Sequence, residues 1–445
     1  MRIAGPSRPV TRRSLLAGGS AALAGAILAR HGESLAQGLS GSIVLGYEGA
    51  NERVGPFIEA AAQAVMAANP GTSIEIVPST GANYLTQLAM QLFTNTAPDA
   101  FFTLAVGAGE LAKGGFIRTL DDYLATWDGW AQYGERARFG VTLQDAIWAL
   151  PWGLTVSFLF YRKDLFAAAG LPVDWQPASR DDIIGAAEAI KASNPDVIPY
   201  SLYSGANGET ATGSEFMNLI YSNGGTLTDP NGKWYIDSCP IHGTLEHYET
   251  AFQTAAVIPQ SVLTDVSPLV TIPGYFGDGE LGILRESAKW YGYWTEEDAA
   301  LAEQIGVAYF PGNDGPMALG DASDAWYLNR NSKNPDLAWA FIAAFNSAES
   351  QAAHAVVDLR LPARDDARAD VAWLATPLAA KMLDVAESLP VPPPEPQFRK
   401  LIGVVQTATG LVATGETTPD EAISRFADEL TRAMGKPNVI SEPCP

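Results

Sequence analysis

The chain has 445 residues, 47% hydrophobic and 18% charged, with a formal net charge of −22. The hydrophobic share suits a globular protein with a full core, and the length suits two or three domains. The acidity speaks against nucleic-acid binding, which needs basic patches to neutralise phosphates, and against docking on an anionic membrane surface.

The first segment, "TRRSLLAGGSAALAGAILARHGESLAQG", has paired arginines at Arg12 and Arg13 and a Gly/Ala-rich run from Leu15 to Leu28. The run is short of the ~20 apolar residues that a spanning helix needs. Ser34-Leu35-Ala36 offers small residues where a signal peptidase cuts. Thr-Arg-Arg-x-Leu-Leu resembles a twin-arginine export signal, with an ordinary secretory signal as the alternative. Residues 1–36 are therefore expected to be removed near Ala36, leaving the protein in the periplasm.

The remaining chain alternates strand-like and helix-like segments. "GSIVLGYEG" reads as a strand, "ERVGPFIEAAAQAVMAANPG" as a helix, "TSIEIVPS" as a strand, "NYLTQLAMQLFTNTAPD" as a helix and "AFFTLA" as a strand. That order points to an α/β layer with a mainly parallel sheet. "AIWALPWGLTVSFLFYRKDLFAAAGLP" reads as strand, proline turn, then a longer strand running into a helix. "SRDDIIGAAEAIKASNPD" is an amphipathic helix with Ser179 at its N-cap and Asp182 three residues on. "SEFMNLIYSNGG" is helical, "IGVAYFPG" is a strand, and "LPVPPPEP" is a rigid extended connector within a helical C-terminal part.

Two cysteines, Cys239 and Cys444, are compatible with one disulfide in an oxidising compartment or with two free thiols. They are too few for a thiolate-rich zinc site. The four histidines are His31, His242, His247 and His354. No G-x-S-x-G, H-E-x-x-H or G-x-x-x-x-G-K-[ST] motif occurs, so no metal or cofactor is expected.

Six stretches in order carry a resemblance: "WALPWGLTVSFLFYRKDLFAAAGLP", "NGGTLTDPNGKWYID", "VAYFPGNDGP", "NSKNPDLAWAFIAAFNSAESQ", "LPARDD" and "TGETTPDEAISRFADEL". Together they resemble the extracellular solute-binding proteins of ABC importers, in the sugar-binding, maltose-binding-protein-like group. The resemblance implies an α/β, two-lobe periplasmic-binding-protein fold of type II with a hinge crossed several times. It puts the crossings around Trp152–Val156, Ala308–Pro311 and Asp358–Leu361. The N-lobe would then be residues 38–153 and 308–357, and the C-lobe 154–307 and 358–445. A carbohydrate or polyol would be captured between the lobes by a monomer and passed to the permease subunits, without chemistry.

Carbohydrate recognition needs aromatic faces for C–H surfaces and planar polar groups for hydroxyls. "GILRESAKWYGYW" offers both, with one arginine, one glutamate, one lysine and four rings from Gly282 to Trp294. The resemblance assigns the stacking ring to Trp290, with Arg285 and Glu286 on the approach and some of the other rings buried. Relatives often carry small or neutral residues at those two positions. The arginine therefore opens a second reading, an anionic ligand such as a sugar acid, sulfonate or phosphodiester. Further candidates lie at strand ends and loops: Tyr47, Glu48, Asn83, Phe102, Thr103, Trp152 at the hinge, Tyr203, Asp321 and Ser323. A glycoside hydrolase, which needs two carboxylates about 5–10 Å apart, is the alternative from another class. A receptor-presenting sensor shares the same expected fold.

Overall fold

The computed structural model describes residues 38–48, 53–79, 84–265, 267–321 and 324–444. The first strands are β1 (Ser40–Glu48), β2 (Gly71–Ser79), β3 (Ala100–Leu104), β4 (Leu150–Pro151), β5 (Gly153–Arg162), β6 (Ile198–Ser201) and β7 (Trp234–Ser238). Then come β8 (Leu281–Ser287), β9 (Ile305–Ala308), β10 (Leu319–Asp321), β11 (Asp324–Leu328), β12 (Leu361–Pro362) and β13 (Val439–Glu442). The helices that matter below are α1 (Gly55–Ala68), α2 (Tyr84–Thr94), α3 (Arg180–Ser193), α4 (Glu209–Ser222) and α5 (Cys239–Glu249). They are followed by α6 (Pro268–Gly277), α7 (Ala288–Glu297), α8 (Pro335–Phe345) and α9 (Ala348–Asp358).

The chain forms two compact units. The first runs to Leu154 and resumes over Ala322–Ala380; the second is Thr155–Asp321 with Lys381–Pro445. The chain changes unit after Leu154, after Asp321 and after Ala380. Pairing explains the last two positions. β9 and β10 each pair antiparallel with β5, which keeps residues 305–321 in the second unit. β12 pairs with β5 at Gly153 and Leu154, and the Trp373 indole N–H donates to the Arg360 carbonyl at 2.9 Å, which keeps residues 361–374 with the first.

In the first unit the strand order is β2–β1–β3–β11–β4. β1 lies parallel to β2 and β3, as expected for strands joined through helices. β11 is antiparallel to β3 and β4, so the sheet is mixed. β11 follows a long excursion through the other unit, and no direct β–α–β crossover fixes its direction. α1 starts with a proline in its first turn and buries Phe57, Ile58, Ala61 and Val65. The central rings are Phe101, Phe102, Trp326, Phe341 and Phe345.

In the second unit the order is β9–β5–β8–β6. β5, "GLTVSFLFYR", is buried almost throughout, as a central strand covered on both faces should be. β8 is antiparallel to β5 and parallel to β6. Ser179 and Asp182 form the expected reciprocal cap at the start of α3. The run Leu389–Pro396 carries no helix or strand, and Val391–Pro394 are buried, so the proline-rich connector is packed. Cys239 and Cys444 are bonded, beside the parallel pairing of β13 with β7. No helix among the described residues is long and apolar enough to cross a membrane.

Candidate functional site

A pocket of about 240 Å³ opens in the second unit at the carboxyl end of β8. Hydroxyl side chains line much of it: Thr155 and Ser157 from β5, Thr210 and Ser214 from α4, and Ser287 from β8. Arg285, Glu286 and Lys289 supply charge, Trp290 supplies a ring, and Leu269 and Leu319 supply apolar surface. The architecture explains the convergence. β5 and β8 are antiparallel neighbours with Glu286 opposite Phe158 and Ser287 opposite Ser157, so the start of one strand meets the end of the other.

Arg285 is 4% exposed and its Nε donates to Glu215 Oε2 at 2.9 Å. Glu215, on α4, is fully buried. Burial opposes the arginine's charge, but Glu215 and then Glu286 outweigh it and hold the guanidinium above its ordinary range. Burial pushes the Glu215 carboxyl up, and Arg285 pulls it part of the way back. Glu286 is held differently. Its Oε2 accepts from the Tyr203 hydroxyl at 2.9 Å, and its Oε1 accepts from the Ser287 backbone N–H at 2.7 Å. The Tyr203 carbonyl in turn accepts from the Tyr248 hydroxyl at 2.8 Å. Both glutamate oxygens keep further lone-pair capacity.

α7 begins where Ser287 accepts from the Lys289 backbone N–H at its N-cap. Helical spacing sorts its four rings. Tyr291 and Trp294 are buried, and Trp294 packs on Phe160 and Phe276 while its indole donates to the Pro273 carbonyl at 2.9 Å. Trp290 and Tyr293 are half-buried, with ring centroids 5.3 Å apart. Trp290 is thus a ring with a face left over, on a helix anchored by its neighbours.

The structure brings together Tyr203, Arg285, Glu286 and Trp290 of the expected residues. Asp321 pairs through its backbone with Thr155, next to the lining residues Leu319 and Gly320. Its side chain, Asn83 and Ser323 lie outside the described residues. The other candidates belong to the first unit. Tyr47 and Glu48 end β1, half-buried and exposed respectively. Thr103 is buried in β3. Phe102 packs edge-on against Trp152 at 5.4 Å, and its carbonyl accepts from the Tyr84 hydroxyl at 2.8 Å. Trp152 is 1% exposed, stacked between Phe345 and His354, with the Arg360 guanidinium over its ring. The expectation that Trp152 touches a ligand meets a ring with almost no exposed surface to offer. Sequence reasoning missed Glu215, Lys289 and the hydroxyl lining. An acid in "SEFMNLI", among residues that a helix would bury, is the one signal that could have pointed to Glu215.

The model of the family described as bacterial extracellular solute-binding protein matches residues 49–352, more than half of the chain. The chain belongs to this family. Among solved structures, a solute-binding protein of an ABC transporter from Thermotoga lettingae bound with alpha-D-tagatose is 22% identical. It covers 89% of this chain and 100% of its own, with a TM-score of 0.76. Maltose-bound MalE3 from T. maritima is 22% identical over 88% of this chain and 99% of its own, with a TM-score of 0.74. The GacH receptor of Streptomyces glaucescens, solved unliganded and with acarbose, is 21% identical over 89% and 98%, with a TM-score of 0.75. These likenesses establish the α/β solute-binding fold of the maltose-binding-protein type. Among curated protein sequences no match is found.

Proposed function

We propose that this solute-binding protein captures a neutral carbohydrate or polyol in the pocket of its second unit and delivers it to the permease subunits of an ABC importer. One observation carries the reading: a half-buried indole, Trp290, shares a pocket with Arg285, Glu286 and five hydroxyl side chains. A ring face for C–H surfaces beside planar charged groups for paired hydroxyls is the chemistry that sugars require. The volume lies a little under the ~300 Å³ lower bound of drug-sized ligand pockets and suits a single sugar ring. The similar structures bound with tagatose, maltose and acarbose support the class without naming the member.

The protein acts by binding alone. Glu286 is the one carboxylate among the described lining residues, whereas glycoside hydrolysis uses a pair. We further propose export through the twin-arginine signal with cleavage near Ala36. The Cys239–Cys444 bond fits an oxidising compartment such as the periplasm. Replacing Arg12 and Arg13 by lysine should leave the precursor in the cytoplasm; normal export of that variant would contradict the twin-arginine route.

A thermal-shift screen against neutral mono- and oligosaccharides, polyols, sugar acids, sulfonates and phosphodiesters tests the ligand class. A sugar at 100 times its dissociation constant should stabilise by ~2.7 kcal/mol. Shifts only among the anions would contradict the neutral reading.

A further inference from the structure

We propose that Glu215 is a positioning residue that sets the charge selectivity of the pocket. It cancels the charge of Arg285 and orients its guanidinium, so that the site takes neutral polyhydroxy ligands and refuses anions. The inference rests on the carbohydrate reading above and extends it to a residue that does not line the pocket.

Two observations carry it. First, Arg285 lines the pocket while only its Nε is used by the protein: that nitrogen donates to Glu215, and the two terminal amines donate to no described residue. A side chain 96% withdrawn from solvent with its donor fork unused points to a bound acceptor. Second, the charges around the fork balance. Arg285 and Lys289 contribute two positive charges, and Glu215 and Glu286 two negative ones. Without Glu215 the fork would be a buried cation facing a cavity, a site suited to carboxylates and sulfate. With Glu215 locked on Nε, the same fork is a fixed donor pair whose positive charge is balanced by a carboxylate behind it, matched to neighbouring hydroxyl oxygens. Arg285 and Glu286 both line the pocket, which offers donors and an acceptor to one ligand, and vicinal hydroxyls can use both.

Inorganic sulfate is the probe. Its binding to the full exported protein is titrated by calorimetry and by tryptophan fluorescence, in the wild type, Glu215→Gln, and Glu215→Gln combined with Arg285→Gln. The wild type should show no saturable response to millimolar sulfate. Glu215→Gln should gain at least about tenfold in sulfate affinity, since the lost charge is worth more than 1 kcal/mol across a few ångströms of protein. The double variant should lose that gain. Sulfate binding to the wild type as tight as to Glu215→Gln would overturn the proposal, as would a gain that survives in the double variant. If Glu215→Gln fails to fold, judged by circular dichroism, the wild type still decides: saturable sulfate binding at millimolar levels or below refutes the claim. The neutral-sugar screen is read separately, so silence there defeats the carbohydrate reading while the sulfate result stands on its own.

Discussion

Trp152 and Trp290 look alike in the sequence, each an indole that the resemblance makes a candidate ligand contact. The structure treats them as opposites. Trp152 sits in the first unit with rings or cations on several sides and is 1% exposed. Trp290 sits on the outward side of α7, half-buried, and lines a pocket rich in hydroxyls. The difference comes from what lies next to each ring. Trp152 is followed by β5 and overlaid by α8 and α9, whereas Trp290 belongs to a short helix whose inward positions are already filled by Tyr291 and Trp294. A ring keeps surface to offer where the helix has other rings to fill its core, as Tyr291 and Trp294 do in α7.

Four perturbations sharpen that contrast, taken from the largest expected effect down. Both units hold a buried neutral imidazole. Burial, with Arg180 adding to it, pushes His247 down to about 3, and burial holds His354 well below its ordinary range. The unfolded imidazole titrates near ~6.5, so the unfolded chain binds protons that the folded one refuses. Their contribution is complete above about pH 6.5 and drains away as pH falls toward the folded values, at up to ~1.4 kcal/mol per pH unit for each histidine. Urea unfolding across that window should show the slope, and His247→Gln should flatten it; an unchanged slope would mean that His247 is protonated in the fold. Next, Trp152→Ala should cost ~3–5 kcal/mol of stability, as for other buried large-to-small changes. A variant as stable as wild type but weak in binding would move Trp152 back among the ligand contacts.

Third, Cys239→Ser, or reductant on the wild type, should lower stability by ~2–4 kcal/mol, because the bond spans 205 residues and restrains the unfolded chain. Equal melting temperatures with and without reductant would remove the bond from the account. Fourth, Glu286→Gln keeps the shape but loses the charged acceptor, and should weaken ligand binding by ~1.5 kcal/mol with little change in melting. A large loss of stability instead would mark Glu286 as a brace for Tyr203.

The parts that could be read in advance share a cause. Alternating strands and helices and the Ser179–Asp182 cap are set by local periodicity and spacing, and they appear in the fold as expected. The Arg285–Glu215 pair could not be read, because its members are 70 residues apart and meet only when β8 and α4 pack. The later unit boundaries likewise depend on which strands pair with β5. The Thr155, Ser157, Thr210 and Ser214 hydroxyls are common residues with no spacing signature, and only convergence gives them meaning.

The central claim is that a sugar stacks on Trp290 in the pocket of the second unit. Calorimetric titration of wild type and Trp290→Ala, with whichever neutral sugar gives the largest thermal shift, tests it most directly. The account predicts a loss of roughly 2 kcal/mol or more in binding, as expected for a central aromatic anchor, with the unliganded melting temperature nearly unchanged. Equal affinity in the two proteins, or a variant that melts far below wild type before any sugar is added, would place Trp290 in the packing of α7 and contradict the claim.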